Sequence, residues 1–128
     1  MGKQALWAAA LALLAGGCGA GHKTAPPPSR ATFLAEANQI CAAASTHTER
    51  LDPLRALRAP AGASDLFAHW LTAEKDAVAA AKSLADGTKK TRLEPAVALA
   101  IAEGKIAGYA RRLGAKTCAK RTVGTMPP

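Results

Sequence analysis

Large apolar side chains are scarce in this chain of 128 residues, although 49% of its residues are apolar. Aromatic residues make up only 4%, with two Phe, two Trp and one Tyr. Alanine occurs 33 times, and alanine favours helix while burying little surface. The sequence therefore predicts a thin core, and a small domain with a thin core commonly needs a covalent staple.

Signatures of catalysis are missing as well. The chain has no Gly-x-Ser-x-Gly turn, no His-Glu-x-x-His and no pair of Cys-x-x-Cys motifs. Gly87-Thr88-Lys89-Lys90-Thr91 is a poor match to a phosphate-binding loop, because the upstream glycine and the preceding strand are absent. We therefore expect no enzymatic activity and no catalytic residues, metal or cofactor.

Acidic residues are also few. Nine Asp and Glu stand against 17 Lys and Arg, which leaves a net charge of +8. A basic surface attracts nucleic acid, anionic lipid or acidic polymers, or it only keeps the protein soluble. The net charge alone does not distinguish these partners, because which of them the protein meets depends on where in the cell it is located.

Residues 1–17 have the three parts of an export signal. Lys3 supplies the positive start, a short apolar stretch follows, and small residues precede Cys18. The apolar stretch is shorter than the roughly 20 residues of an ordinary membrane-spanning helix. Leu14-Ala15-Gly16-Gly17-Cys18 resembles the lipobox of bacterial lipoproteins, although Ala15 stands where leucine is more usual. An ordinary secretory signal that happens to contain a cysteine is the alternative.

The lipobox resemblance implies that residues 1–17 are cleaved off and that Cys18 receives a diacylglycerol, with fatty acids such as palmitate. We therefore expect a lipid-anchored protein on the extracytoplasmic face of the cell membrane. There the membrane itself, anionic lipid, or an envelope protein or polymer is the expected partner, and nucleic acid is not. Two or more acyl chains make such anchoring stable, whereas one chain alone binds only marginally.

The rest of the chain divides into three parts. Residues 18–31 contain Pro26, Pro27 and Pro28 and read as a flexible spacer of up to about 35 Å. Residues 32–118 carry the helical patterns and form the predicted domain. Residues 119–128 are predicted to be a disordered basic tail.

Apolar residues in the predicted domain recur at steps of three and four, which is typical of amphipathic helices. No segment alternates usefully with period two. We therefore predict an all-α fold, a three-helix up-down-up bundle stapled by one disulfide. The predicted helices are 32–51, 64–85 and 94–113, with Thr32 and Ser64 as N-caps and with Asp52-Pro53, Gly87 and Gly114 as ends.

Cys41 and Cys118 are the predicted disulfide. An exported chain sits where disulfides persist, and Cys18 is assigned to the lipid, so the other two cysteines are natural partners. A bridge spanning 77 residues would contribute about 4.5 kcal/mol through chain entropy. The bridge requires the chain to double back at Gly114, and two free thiols are the alternative.

Two segments of the domain carry a further resemblance. Ala37-Asn38-Gln39-Ile40-Cys41 and Arg112-Leu113-Gly114-Ala115-Lys116-Thr117-Cys118 are similar to segments in a group of small lipoproteins and secreted proteins of high-GC Gram-positive bacteria. The likeness covers residues 31–118. It implies a helical, disulfide-bonded domain on the cell surface, and it brings no catalytic residue to this chain.

Glu74 is the residue that stands out for chemistry, because it falls on the apolar face of the second predicted helix. A buried carboxylate must be paired with a cation, hydrogen-bonded to water, or protonated. It either bonds to a neighbouring side chain at the edge of the bundle or contacts a ligand in a small cavity with Trp70. His47 is interpreted as a packed structural histidine, because nothing in the sequence predicts that it lies near His69 to form a metal pair.

The leading hypothesis is a lipid-anchored, non-enzymatic binding or structural module at the membrane surface. A small-ligand carrier with a cavity near Glu74 and Trp70 is the alternative.

Overall fold

The computed structural model of the protein describes residues 25–120. The predicted signal peptide, the first half of the spacer with Cys18, and residues 121–128 lie outside this range. Between residues 25 and 120 the fold is all-α, as predicted, with five helices and no strand. The helices are α1 Arg30–Ala43, α2 His47–Ala56, α3 Ser64–Asp86, α4 Leu93–Leu113 and α5 Lys116–Lys120.

The predicted first helix, 32–51, is wrong as a single element, because the chain breaks between α1 and α2. Ala44 is extended, and Thr46 caps a new helix by accepting a 3.1 Å hydrogen bond from the Glu49 N–H. The Glu49 carboxylate in turn accepts one of 2.8 Å from the Ser45 N–H. Such reciprocal bonds start a helix in a direction of its own. The break therefore turns α2 out of the line of α1.

Pro53 does not end a helix, contrary to the prediction, but lies inside α2. Proline lacks an N–H and normally interrupts a helix interior. Here α2 continues past it to Ala56, and Leu57 then becomes extended. Leu51 and Leu54 on either side of Pro53 are buried, so the packing of α2 offsets the lost backbone hydrogen bond.

The starts of α1 and α3 also differ from the prediction by a short distance. Ser29, not Thr32, caps α1, and its hydroxyl accepts a 3.1 Å hydrogen bond from the Thr32 N–H. Ala63, not Ser64, is the cap residue of α3, and it makes no side-chain bond. A helix whose buried face is well packed begins without a polar cap, because packing supplies most of its stability.

Helices α3 and α4 form an antiparallel pair joined by residues 87–92. His69 near the start of α3 stacks on Tyr109 near the end of α4, with 5.8 Å between ring centroids. Small buried side chains let the two helices approach closely; they are Ala73, Ala77 and Ala80 on α3 and Ala102 and Ala110 on α4. No helix between residues 25 and 120 is long and apolar enough to cross a membrane.

Gly114 ends α4 as predicted and reverses the chain. Its φ of +93° is left-handed, and the Ala115 N–H bonds the Ala110 carbonyl at 2.8 Å, as in a Schellman turn. The short helix α5, which was not predicted, then runs beside α1. It brings Cys118 to Cys41 with their Cα atoms 5.2 Å apart, and the predicted disulfide is present.

The core is thin in the way that the composition predicts. Three aromatic rings form its centre, with Phe33 edge-on to Phe67 at 5.0 Å and Phe67 edge-on to Trp70 at 5.8 Å. Alanines and the two bridged cysteines make up most of the remaining buried apolar residues. The disulfide and the aromatic cluster therefore lie together inside the domain.

Candidate functional site

The chemically richest place in the described chain is a buried polar cluster where α2, α3 and α4 meet. Helix α2 contributes His47 and Arg50, α3 contributes Trp70 and Glu74, and α4 contributes Glu103. The new direction of α2 points His47 and Arg50 inward, since both lie on its buried face. The cluster therefore depends on the break after α1.

Glu74 is the centre of this cluster and is fully buried. One carboxylate oxygen, Oε1, accepts a 3.0 Å hydrogen bond from the indole N–H of Trp70. The other, Oε2, accepts one of 3.1 Å from Nη2 of Arg50 and lies 2.9 Å from Nδ1 of His47. Both oxygens of the carboxylate are thus satisfied by neighbouring side chains.

His47 connects this pair to the protein surface. Nη2 of Arg50 lies 2.7 Å from Nδ1 of His47, and Nε2 of His47 lies 3.4 Å from the Glu103 carboxylate. In one proton arrangement, Arg50 Nη2 donates one hydrogen to Glu74 and one to Nδ1, which leaves Nδ1 and Oε2 of Glu74 as two acceptors 2.9 Å apart with no hydrogen bond between them. The imidazole proton then sits on Nε2 and is donated to Glu103.

The Arg50 and Glu74 charges form a buried ion pair. Nε of Arg50 is 3.0 Å from Oε1 of Glu74, but its N–H makes no hydrogen bond, so this contact is electrostatic only. Nη1 of Arg50 points toward Sγ of Cys41 at 4.0 Å. Desolvation opposes burying two charges, and only close pairing with further hydrogen bonds compensates for it.

The cluster is closed to solvent on nearly every side. Arg50 is 1% exposed, His47 is 4% exposed, and only Glu103, at 18%, reaches partly to the surface. Residues 25–120 contain no group of three His, Cys, Asp or Glu side chains suited to a metal ion. The polar atoms of the cluster contact one another, and these contacts join α2 to α3 and α4.

A surface groove of about 720 Å³ lies between α3 and α4. Alanine side chains and Ile101 form much of its lining, and Asp76, Glu94 and Lys105 add charge. Neither Glu74 nor Trp70 lines it. The groove is open rather than enclosed.

Exposed basic residues gather at the two ends of α4, which are about 30 Å apart. Lys89, Lys90 and Arg92 lie in or next to the α3–α4 loop. The other group lies where the described chain begins, because the Arg30 side chain donates a 2.9 Å hydrogen bond to the Leu113 carbonyl. We call this group the basic pole; it consists of Arg30, Arg111, Arg112 and Lys116, all exposed.

The structure describes every predicted site residue except Cys18. Cys41 and Cys118 are bridged, whereas Cys18 lies outside the described residues. Glu74 and Trp70 are brought together, but their polar atoms bond each other and the partners on α2. His69, instead of joining His47, packs on Tyr109.

Sequence reasoning missed Arg50 and Glu103 as partners of Glu74. Arg50 was placed on a long first helix, where its orientation toward α3 was not apparent. The signal that could have found it is Thr46-His47-Thr48-Glu49, a capping-box spacing that marks a helix start at His47. From that start, His47, Arg50 and Leu54 fall on one face.

No family model matches this chain, and no curated protein and no solved structure is significantly similar to it.

Proposed function

We propose that this protein is a lipid-anchored, non-enzymatic module that lies at the extracytoplasmic surface of the cell membrane. Its N-terminal Cys18 carries the lipid after residues 1–17 are removed. Its helical domain rests with the basic pole toward anionic lipid, and its exposed surface is available to envelope partners.

The observation that carries this proposal is the state of the three cysteines. Cys41 and Cys118 are buried and bridged, which leaves Cys18 as the odd one. Disulfides persist in exported proteins and are rare in the cytosol. An odd cysteine in an exported chain would be a reactive thiol unless it is modified. Lipidation at Cys18 accounts for the odd cysteine, the small residues before it and the export signal together.

The buried polar cluster supports a binding or structural role over catalysis. A catalytic group has to reach a substrate at hydrogen-bond distance. Here the side chains contact each other instead: Arg50 bonds both Glu74 and His47. None of these three residues is more than 4% exposed. The α3–α4 groove and the charged ends of α4 are among the features that the domain exposes.

The position of the basic pole supports contact with anionic lipid. The first described residues, Ala25 and Pro26, accept hydrogen bonds from the Arg58 side chain, and the chain then enters α1 at Arg30, whose side chain bonds the end of α4 beside Arg112. This pole therefore lies at the start of α1, five residues after the first described residue of the anchored segment. Each basic residue near an anionic membrane surface contributes about 1 kcal/mol of attraction, which decays within a Debye length.

Replacement of Cys18 tests the anchor. In cells fed a labelled fatty acid, the wild-type protein should carry the label and remain in the membrane pellet after a high-salt wash. Cys18→Ala should lose the label. A Cys118→Ala variant serves as the control, since it removes a different cysteine and should keep the label. An unlabelled, uncleaved and water-soluble wild-type protein would contradict the proposal.

The orientation on the membrane is tested by lysine footprinting of the lipidated protein in vesicles. A water-soluble amine reagent should modify Lys116 less in anionic vesicles than in neutral ones, and raised salt should abolish the difference. Lys89 and Lys90 on the far side of α4 provide the internal control, because their reactivity should not change with lipid charge. Equal modification at both ends in every vesicle would exclude the basic pole as the lipid contact.

A further inference from the structure

One face of α4 exposes large apolar side chains that packing within the domain does not explain. Leu93 is 76% exposed, Val97 is 50% exposed and Ile101 is 55% exposed. They are spaced by four residues, so they lie along one side of the helix. The opposite side of α4 is the buried one, with Ala102, Ile106, Ala110 and Leu113 facing the core. The exposed side is therefore a second apolar face.

The same face becomes flat in the second half of the helix. Gly104 and Gly108 continue the row, at seven-residue steps from Val97 and Ile101. A Cβ placed on either glycine would meet nothing within 4 Å, so the fold of the single chain leaves open space there. A glycine inside a helix destabilises the helix relative to alanine. No contact within the domain requires these two glycines. They therefore indicate that another molecule approaches the helix at this face.

One half of this face carries large side chains and the other half carries glycines. The two halves are complementary in shape when a second copy lies antiparallel to the first. A two-fold axis between Ala102 and Glu103 sets Ile101 opposite Gly104 of the other copy. The same axis sets Val97 opposite Gly108, because both pairs are centred on the same point of the sequence. Large residues then fit over the open glycine positions, as the self-matching contacts of a two-fold interface require.

The charges follow the same symmetry. Glu94 is exposed at the bulky end of the face, and Arg111 and Arg112 are exposed at the flat end. The axis that pairs the apolar residues also sets Glu94 of one copy against the two arginines of the other, twice in the dimer. A parallel arrangement would instead set Glu94 against Glu94 and arginine against arginine. Charge complementarity therefore selects the antiparallel orientation.

We propose that the exposed face of α4 binds a second copy of this chain, with the two α4 helices antiparallel. A helix about 30 Å long and 10 Å wide buries roughly 300 Å² on each side. This area is well below the roughly 800 Å² per partner of a standard stable interface. The dimer is therefore weak and reversible, and it forms where the protein is locally concentrated. The pairing itself does not depend on the lipid anchor.

Cysteine crosslinking of the purified full chain tests this contact. In a Val97→Cys, Gly108→Cys double variant, each new cysteine faces its counterpart on the other copy. Within one helix the two positions are about 16 Å apart, beyond the roughly 7 Å that a disulfide allows between Cα atoms. Any bond between them therefore joins two molecules. With a mild oxidant, we expect at least tenfold more of this bond than of any bond in either single variant.

Peptide mapping identifies which contact formed. Trypsin releases Val97 in the segment 93–105 and Gly108 in the segment 106–111, so their disulfide is distinguished from a bond through an unmodified Cys18. A Glu94→Arg change in the double variant should lower the yield severalfold, and adding Arg111→Glu and Arg112→Glu should restore it. An intact Cys41–Cys118 peptide confirms that each variant is folded.

Three outcomes would overturn the proposal. One is no 97–108 bond in the folded double variant at any concentration. The second is a Val97→Cys single variant that links to itself as efficiently, which would mean parallel pairing. The third is a crosslinking yield that does not respond to the Glu94 and arginine exchanges.

Discussion

At the scale of single residues, the most consequential feature is the charge pair inside an alanine-rich core. Arg50 and Glu74 are almost completely buried, and Glu74 also binds Trp70. Small apolar residues pack against many arrangements, whereas a buried carboxylate tolerates only the one in which both oxygens are paired. The pair thus selects one docking position for α2 against α3.

Removal of the Glu74 carboxylate should be among the most damaging single changes in the domain. In Glu74→Ala, the Arg50 charge stays buried without its partner, and breaking a buried pair in this way costs about 3–5 kcal/mol. Denaturant unfolding of the protein measures the loss. The matched control is Glu36→Ala, an exposed carboxylate whose removal should change stability by no more than about 0.5 kcal/mol. Equal losses in both variants would mean that the pair is not formed.

Replacing both members of the pair should cost less than the two single changes together. Arg50→Met combined with Glu74→Leu removes both charges while keeping apolar volume. Contacting residues show coupling energies of about 0.5–3 kcal/mol in such cycles. Additive losses in the unfolding measurement would argue against a direct Arg50–Glu74 contact.

At the scale of the helices, the ends determine the path of the chain more than the helical stretches do. The cap at Thr46 redirects α2 toward α3, and Gly114 redirects the chain from α4 into α5. The direction of each neighbouring element therefore depends on a few backbone hydrogen bonds and on one positive φ.

The glycines of α4 and its end should respond in opposite directions to alanine. Gly114→Ala forces a side chain into the left-handed region at φ +93° and should destabilise the domain by about 1–2 kcal/mol. Gly104→Ala, in an exposed helix interior with open space around it, should stabilise the domain by about 0.5–1 kcal/mol. Thermal unfolding at low protein concentration compares the two. Two changes of the same sign would contradict this assignment of the helix end.

At the scale of the whole molecule, the disulfide closes the domain. It joins α1 to α5 and so ties the two ends of the folded chain together across 77 residues. Because the domain buries few large apolar residues, it has few other contributions to its stability that are as large as that of the bridge. A net stability of about 5–15 kcal/mol is typical of a domain, so the constraint that the bridge places on the unfolded chain is a large share.

Loss of the bridge should be visible as a large drop in melting temperature. Cys41→Ala with Cys118→Ala removes about 4.5 kcal/mol of chain-entropy stabilisation, which corresponds to a decrease of roughly 20 °C or more. Calorimetry of the variant, and of the reduced wild-type protein, measures it. Cys18→Ala is the control, because it keeps the bridge and should unfold at the wild-type temperature. A melting temperature unchanged by loss of the bridge would mean that the thin core suffices.

How far the sequence reaches can be seen from particular residues. Gly114 and Cys118 predicted the chain reversal and the bridge correctly. A glycine ends a helix for a local reason, and the expectation of export made Cys41 and Cys118 natural partners. The periodic stretches of α3 and α4 were found for a local reason as well. The continuous helix 32–51 was wrong, because Ala42, Ala43 and Ala44 continue a helical pattern without revealing where the backbone turns.

The sequence by itself determined the helical class, the bridged cysteine pair and the thinness of the core, since these depend on composition and on spacing along the chain. It also singled out Glu74 as a carboxylate that needs a partner. Only the tertiary structure decided that this partner is Arg50, that Glu103 completes the cluster through His47, and that one face of α4 remains uncovered. The physical reason is that the partner of a buried side chain, and whether a helix face is covered, both depend on how separate helices dock. Alanine-rich surfaces pack in many ways, and only the buried polar groups select one arrangement.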